Sequence, residues 1–347
     1  MMKLLTRVFL LLPLAGVYAA PCLPSIDRGN LTVALVRAPP PNWPLPIDNK
    51  DYRGVDLNMT AVVETGISLM HAARANGADV VAFPELWFPG HPKGELTDDY
   101  FRETYLPLYA DSAMVLGDKY WTRLTAAVRE IGIYAQINFA EREDDHIYMS
   151  QALAQIAAIR RRKRYIFSDG TVDGLQVIRT AYGRWGMLEC FEHYWPSMTF
   201  NMHVQQESLH FTAFPYLQDS LDPTAPWFAN DVVNQGAVST YAIQGNTWTL
   251  TPAVGSAFIH DPTGIMVANV SANVSFEQQP FLYHSINTTE FDLRKPYDLD
   301  GQFSWGILDQ IVNSFPASVP KKEGSMVPQL SVSIKDVIKP GKAGQKA

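Results

Sequence analysis

Read for the period of its apolar positions, the chain switches repeatedly between the two-residue repeat of a strand and the 3.6-residue repeat of a helix. Residues 31–37 alternate as a strand and are stopped by Pro39-Pro40-Pro41. Met59, Val63, Ile67 and Met70 recur at helical spacing, with Gly77 placed to end that helix. Residues 78–83 form a short apolar run, the pattern of a strand covered on both faces. A second helix is expected over 113–131 and a strand over 134–139. Further on, 175–178 and 185–189 read as strands, 196–206 as a helix and 209–214 as a strand. A helix over 227–245, strands over 247–251 and 257–260, and the turn Asp261-Pro262-Thr263-Gly264 complete the pattern. Strand and helix in alternation, with no fixed-period repeat, predict one α/β domain. Beyond about Pro316 the apolar periodicity fades, and Lys335, Lys339, Lys342 and Lys346 punctuate what reads as a solvated tail over 317–347.

The start of the chain stands outside this alternation. Lys3 and Arg7 precede an apolar run from Val8 to Val17, and Val17-Tyr18-Ala19 offers a small-residue cleavage pattern. The run is about half the ~20 residues a spanning helix needs, so residues 1–19 read as a signal peptide and not a membrane anchor. Five Asn-x-Ser/Thr sequons, at Asn30, Asn58, Asn269, Asn273 and Asn287, agree with a secreted or vacuolar glycoprotein. The domain proper then covers 20–316. Its 47% hydrophobic and 18% charged residues are those of a globular chain. The net charge of −7, thinly spread, argues against a nucleic-acid partner, which would call for a clustered basic face.

Two cysteines are present, Cys22 and Cys190. An oxidising compartment favours a Cys22–Cys190 bridge; the alternative is that Cys190 is a working thiol. Its surroundings bear on the choice. Leu188-Glu189-Cys190-Phe191-Glu192-His193 follows a strand and precedes Trp195-Pro196, which opens a helix. A thiol at such a junction feels a helix N-terminus, which favours the nucleophilic thiolate. His193 is close enough in sequence to be read as the base of a Cys–His pair, although such pairs usually join distant segments.

Glu85, in Phe83-Pro84-Glu85-Leu86-Trp87, closes the apolar strand of 78–83. Desolvation at a buried strand end pushes a carboxyl toward the range useful to a general base; a solvated strand exit is the plainer reading. The basic run Arg160-Arg161-Arg162-Lys163-Arg164 reads as a solvated face, a nuclear signal, a nucleic-acid patch or a cleavage site for a secretory protease, and the signal peptide argues against the nuclear reading.

Taken together and in order, Ala78-Asp79-Val80-Val81-Ala82-Phe83-Pro84-Glu85, Arg162-Lys163 and Cys190-Phe191-Glu192-His193 resemble the nitrilase superfamily, the nitrilase branch in particular. Phe167-Ser168-Asp169-Gly170-Thr171, Thr180-Ala181-Tyr182-Gly183-Arg184 and Gly255-Ser256-Ala257 extend the likeness, which runs from about Leu31 to Asp292. The resemblance implies an α-β-β-α sandwich and a Glu-Lys-Cys catalytic set of Glu85, Lys163 and Cys190, with neither metal nor organic cofactor. It further implies a small nitrile or amide substrate and self-association into homo-oligomers. By that likeness Glu85 takes the thiol proton, Cys190 attacks the nitrile carbon, and Lys163 stabilises the developing negative charge.

The likeness has a gap. Family members carry a short loop with a second Glu after the catalytic Lys, whereas Lys163 here runs straight into Arg164-Tyr165-Ile166-Phe167. That leaves three outcomes open: a nitrilase, an amidase or cyanide hydratase on the same scaffold, or a catalytically impaired member kept for binding.

Overall fold

The computed structural model describes residues 29–43, 52–92, 94–154, 157–160, 166–218, 226–290, 306–314 and 331–339. The signal-peptide region, Cys22 and the basic residues 161–164, Lys163 among them, lie outside the described residues.

Two six-stranded sheets form the centre. The first has the order β12-β1-β2-β3-β4-β5, where β1 is Asn30–Val36, β2 Val80–Ala82, β3 Tyr134–Glu143, β4 His146–Leu153, β5 Ala157–Arg160 and β12 Phe281–Asn287. The second has the order β11-β10-β9-β8-β7-β6, with β6 Ile178–Thr180, β7 Gly183–Glu189, β8 Leu209–Ala213, β9 Trp248–Thr251, β10 Ala257–His260 and β11 Met266–Val270. In each sheet the central strands run parallel, β1-β2-β3 in one and β7-β8-β9 in the other.

Side-chain alternation divides the core into layers. Leu31, Val33 and Leu35 of β1 meet Met187, Leu209, Phe211 and Leu250 of the second sheet in a shared filling. Ala34 and Val36, one residue out of step, face instead the buried stripes of α1 (Met59–Ala75) and α3 (Lys119–Ile131). On the far side, Leu188 packs on Met202 of α4 (Pro196–His203) and Tyr241 of α5 (Asp231–Gly245). Helices outside, sheets inside: this is the expected α-β-β-α sandwich.

Several boundaries differ from the periodic reading, each for a local reason. The helix expected over 113–131 is shorter, running only over Lys119–Ile131. α3 begins only at Lys119 because Asp118 caps it, accepting from Trp121 N at 2.7 Å, after Gly117 turns the chain at φ 88°; a separate helix, α2 (Leu106–Ser112), precedes the expected range. Asn230 likewise caps α5 through Val232 N and Val233 N, separating it from the short turn Trp227–Ala229. Residues 175–178 are loop up to Ile178.

The tail expected to be solvated is docked in part. Val332 N donates to Ser168 Oγ at 2.9 Å, Ser333 Oγ donates to Asp145, and Ile334 and Val337 of α6 (Ile334–Val337) pack against a cluster containing Ile147, Ile166 and Phe167. Apolar residues at 334, 337 and 338 supply the contact that the lysine-punctuated pattern hides.

Candidate active site

The chain leaves β2 through Phe83, Pro84 and Glu85, and Pro84, lacking an N–H, ends the ladder there. Phe83 N donates to Gln136 O at 3.1 Å, while Phe83 O accepts from Asn138 Nδ2 at 2.5 Å. Gln136 Nε2 in turn donates to Asn138 Oδ1 at 2.8 Å, which orients that amide. Glu85 itself reaches across to the second sheet, its N–H donating to the Phe214 carbonyl at 3.1 Å. The next residue, Leu86, takes the left-handed conformation at φ 49°, a cost of roughly 1–3 kcal/mol that the surrounding packing must hold.

The Glu85 carboxylate is buried, 1% exposed, and such a group needs partners in place of water. His91 is one, its Nε2 standing 3.2 Å from Glu85 Oε1. Tyr109 is a second neighbour. Burial first, then the charges of Tyr52 and Glu85, hold its phenol well above the usual range. Its hydroxyl is buried with no hydrogen-bond partner among the described residues.

Cys190 begins the short turn Cys190–Tyr194 directly after β7. Glu192 closes that turn, its Oε2 accepting from Glu189 N at 2.8 Å. The thiol residue is buried with Phe214, Leu217, Val238, Ala253 and Phe258. Tyr194 lies beside it: burial, then the charge of Cys190, push the Tyr194 phenol up to about 12, and its hydroxyl donates to Asn234 Oδ1 at 2.8 Å. In the register of β7 and β8, Glu189 faces Ala213, so Cys190 and Phe214 leave adjacent parallel strands together. Phe214 therefore links the two halves of the site, packing against Cys190 and accepting from Glu85 N. A further tie runs between the sheets, from Gln151 Nε2 to the Leu188 carbonyl at 3.3 Å.

Of the residues singled out from sequence, the structure brings Glu85 and Cys190 to the same end of the sandwich. Lys163 and the Cys22–Cys190 question fall outside the described residues. His193 is not set up as the base of a Cys–His pair. Its Nδ1 lies 2.9 Å from the Cys190 carbonyl and its Nε2 3.1 Å from His210 Nε2, so both ring nitrogens are engaged elsewhere. Sequence reasoning missed His91, Tyr109, Glu207 and His210. For His210 a signal existed, since a titratable residue at mid-strand in the apolar run 209–213 marks a buried polar network.

Comparison with known proteins agrees with this geometry. The family model for carbon–nitrogen hydrolase matches residues 32–275. An arylacetonitrilase of Hypocrea virens is 26% identical over 286 residues, covering 72% of this chain and 85% of that protein. A nitrilase of Pseudomonas syringae pv. syringae is 30% identical over 57% of this chain and 62% of its own length. An aliphatic nitrilase of Rhodococcus rhodochrous is 29% identical over 66% of this chain, which spans 59% of that enzyme. Among solved structures, an amidase of the nitrilase superfamily from Nesterenkonia AN1 superposes with a TM-score of 0.56 at 13% identity, over 82% of this chain and 98% of that one. Saccharomyces cerevisiae Nit3, a member of the nitrilase superfamily, gives 0.56 at 14% identity, over 80% of this chain and 98% of its own. Matched over most of its length, and folded as that sandwich with Glu85 and Cys190 at one end, the chain belongs to the carbon–nitrogen hydrolase family.

Proposed function

We propose that the protein is a nitrilase-type hydrolase converting an organic nitrile to a carboxylic acid and ammonia. The observation that carries this reading is that two buried residues, Glu85 of one sheet and Cys190 of the other, both converge on Phe214, Glu85 through its N–H to the Phe214 carbonyl and Cys190 through their shared apolar cluster. Glu85 takes the thiol proton, the thiolate adds to the nitrile carbon, and Glu85 returns the proton to the nitrile nitrogen, giving a thioimidate. Water adds to the thioimidate, and ammonia leaves with the proton it needs, giving a thioester. A second water hydrolyses the thioester, releasing the acid and restoring the thiol. Lys163, by its family position, stabilises the negative charge of the tetrahedral species.

A nitrile is favoured over an amide because the sequence relatives named above are nitrilases, whereas the amidase shares the fold at 13% identity. The test is ammonia release from aliphatic and aryl-aliphatic nitriles and their amides, wild type beside Cys190→Ala. Activity on nitriles that falls by at least about a thousandfold in the variant supports the reading. Hydrolysis of amides alone, or an amide as the main product, replaces it with the amidase or hydratase chemistry. Silence from folded wild type replaces it with the impaired, binding member that the shortened stretch after Lys163 favours.

The protein is further proposed to enter the secretory route. The charged and apolar opening of residues 1–19 supports this, as does the exposure of Asn30, Asn58, Asn269 and Asn273; Asn287 is half-buried. Expression in a eukaryotic host should yield medium-borne protein that loses mass with peptide-N-glycosidase; retention in the cell without glycan refutes it.

A further inference from the structure

Behind Cys190, where the second sheet meets α4 and α5, lies a line of buried polar groups that take no direct part in the proposed nitrile reaction. His193 Nδ1 is 2.9 Å from the Cys190 carbonyl. His193 Nε2 is 3.1 Å from His210 Nε2, and His210 Nδ1 is 2.8 Å from Glu207 Oε2. The other carboxylate oxygen, Oε1, accepts from the Tyr241 hydroxyl. Glu207, His193 and His210 are all buried, His210 completely.

These contacts fix the number of protons. The Cys190 carbonyl can only accept, so His193 Nδ1 carries a hydrogen. An ionised Glu207 can only accept, so His210 Nδ1 carries one as well. The two Nε2 atoms can bond only if one of them holds a third. Three ring protons on two imidazoles amount to one positive charge, set against the one negative charge of Glu207. Passing a proton along to Glu207 reverses the His210–Glu207 bond, leaves His193 donating to the Cys190 carbonyl and keeps every contact, so the chain holds one proton that can move.

The groups facing this chain leave that charge in place. His203 of α4, its ring 4.3 Å from that of Tyr241, is lowered to about 4, by burial first, and is neutral at pH 7. Tyr241 of α5 donates to Glu207 and favours its ionised form. Tyr194, raised to about 12, is neutral on the thiol side. The space is built for the pair: Gly186 of β7 stands opposite His210 in the register, and a Cβ there would lie 1.6 Å from Glu207 Oε2.

We propose that Glu207, His210 and His193 form a proton-holding chain that keeps an imidazolium hydrogen-bonded to the backbone of Cys190 and so favours its thiolate. All three are positioning residues, none touching substrate. The inference rests on the reading of Cys190 as the nucleophile and adds the group that supports it.

Glu207→Gln is the test, because Gln can keep every bond while removing the charge. Its oxygen accepts from Tyr241 and its amide donates to His210 Nδ1. His210 then donates to His193, and His193 to Cys190, with both rings neutral. The readout is the pH dependence of iodoacetamide alkylation in the full chain, scored at the Cys190 peptide by mass spectrometry. The expected result is an inflection moved up by about one pH unit in the variant, with the thermal midpoint near that of wild type. Superimposable alkylation profiles would overturn the proposal. Should the variant fail to fold, the 15N spectrum of histidine-labelled wild type decides. A shared imidazolium at His193 and His210 supports the chain; two neutral rings overturn it. Neither measurement needs turnover, so a protein inactive toward nitriles still reports on the chain.

Discussion

Gly186→Ala sets backbone propensity against packing, and the two predict opposite signs. Gly in a strand is destabilising relative to Ala by roughly 0.5–1 kcal/mol, so propensity alone predicts a gain. The Cβ, however, would sit 1.6 Å from Glu207 Oε2 and 2.8 Å from its carboxyl carbon, where 3.0 Å is the closest approach real Cβ atoms show. The carboxylate must therefore retreat by about 1.4 Å, which breaks its 2.8 Å bond to His210. A hydrogen bond to a charged group is worth about 1.5–3 kcal/mol, and overpacking a filled core costs about 1–3 kcal/mol more. Less the backbone gain, the net loss is about 2–5 kcal/mol. At roughly 2 °C per kcal/mol for a domain of this size, the thermal midpoint should fall by about 4–10 °C by circular dichroism. Cys190 alkylation should move to higher pH in the folded variant, since the same displacement removes the anion from the chain. A midpoint equal to or above wild type would refute the reasoning, because it would mean Glu207 yields without cost.

Acid should weaken the fold before it protonates carboxylates. Burial lowers His203 and His260 to about 4 from 6.5, so the unfolded chain takes up protons that the native one refuses. The stability they contribute is complete above pH ~6.5 and is lost as pH falls toward 4, by up to about 2–3 kcal/mol each. Urea midpoints between pH 7.5 and 4.5 should trace this fall, and His203→Gln should flatten it; an unchanged midpoint across that range contradicts it. Ser168→Ala should cost about 1–2 kcal/mol, since its hydroxyl accepts from Val332 N and faces His146 Nδ1 at 3.4 Å. Limited proteolysis should then cut sooner within 331–339, and an unaltered digestion course would count against the docked tail.

What could be read from sequence followed the reach of each interaction. The strands over 31–37, 185–189 and 257–260 carry their own period and were legible to within a residue or two. The late start of the helix expected over 113–131 turned on Gly117 and the Asp118 cap, two residues that outweigh a continuous apolar pattern. The hairpin of β3 and β4 had a signal in Asp144-Asp145, flanked by the pair Glu143 and His146, with Asp144 at φ 52°. β12 had none of comparable strength, because its place beside β1 comes from a pairing between distant parts of the chain, Asn30 with Asn287. The site divided in the same way. Glu85 and Cys190 sit in recognisable local settings. His91 acquires its importance only from standing 3.2 Å from Glu85, and Glu207 from a proton count over three side chains.

Glu85 rides on one sheet and Cys190 on the other, so the proposed base and nucleophile work as a caliper across the interior. The jaw opening is set by the filling between the layers, Leu35, Met187, Phe211 and Leu250 among others, and held by the bonds from Glu85 N to Phe214 O and from Gln151 to Leu188 O. A sub-ångström change in that filling alters the reach from Glu85 to Cys190 while leaving both residues intact. Such a protein goes out of adjustment before it comes apart. On warming, turnover should decline while the circular dichroism of both sheets still reads native.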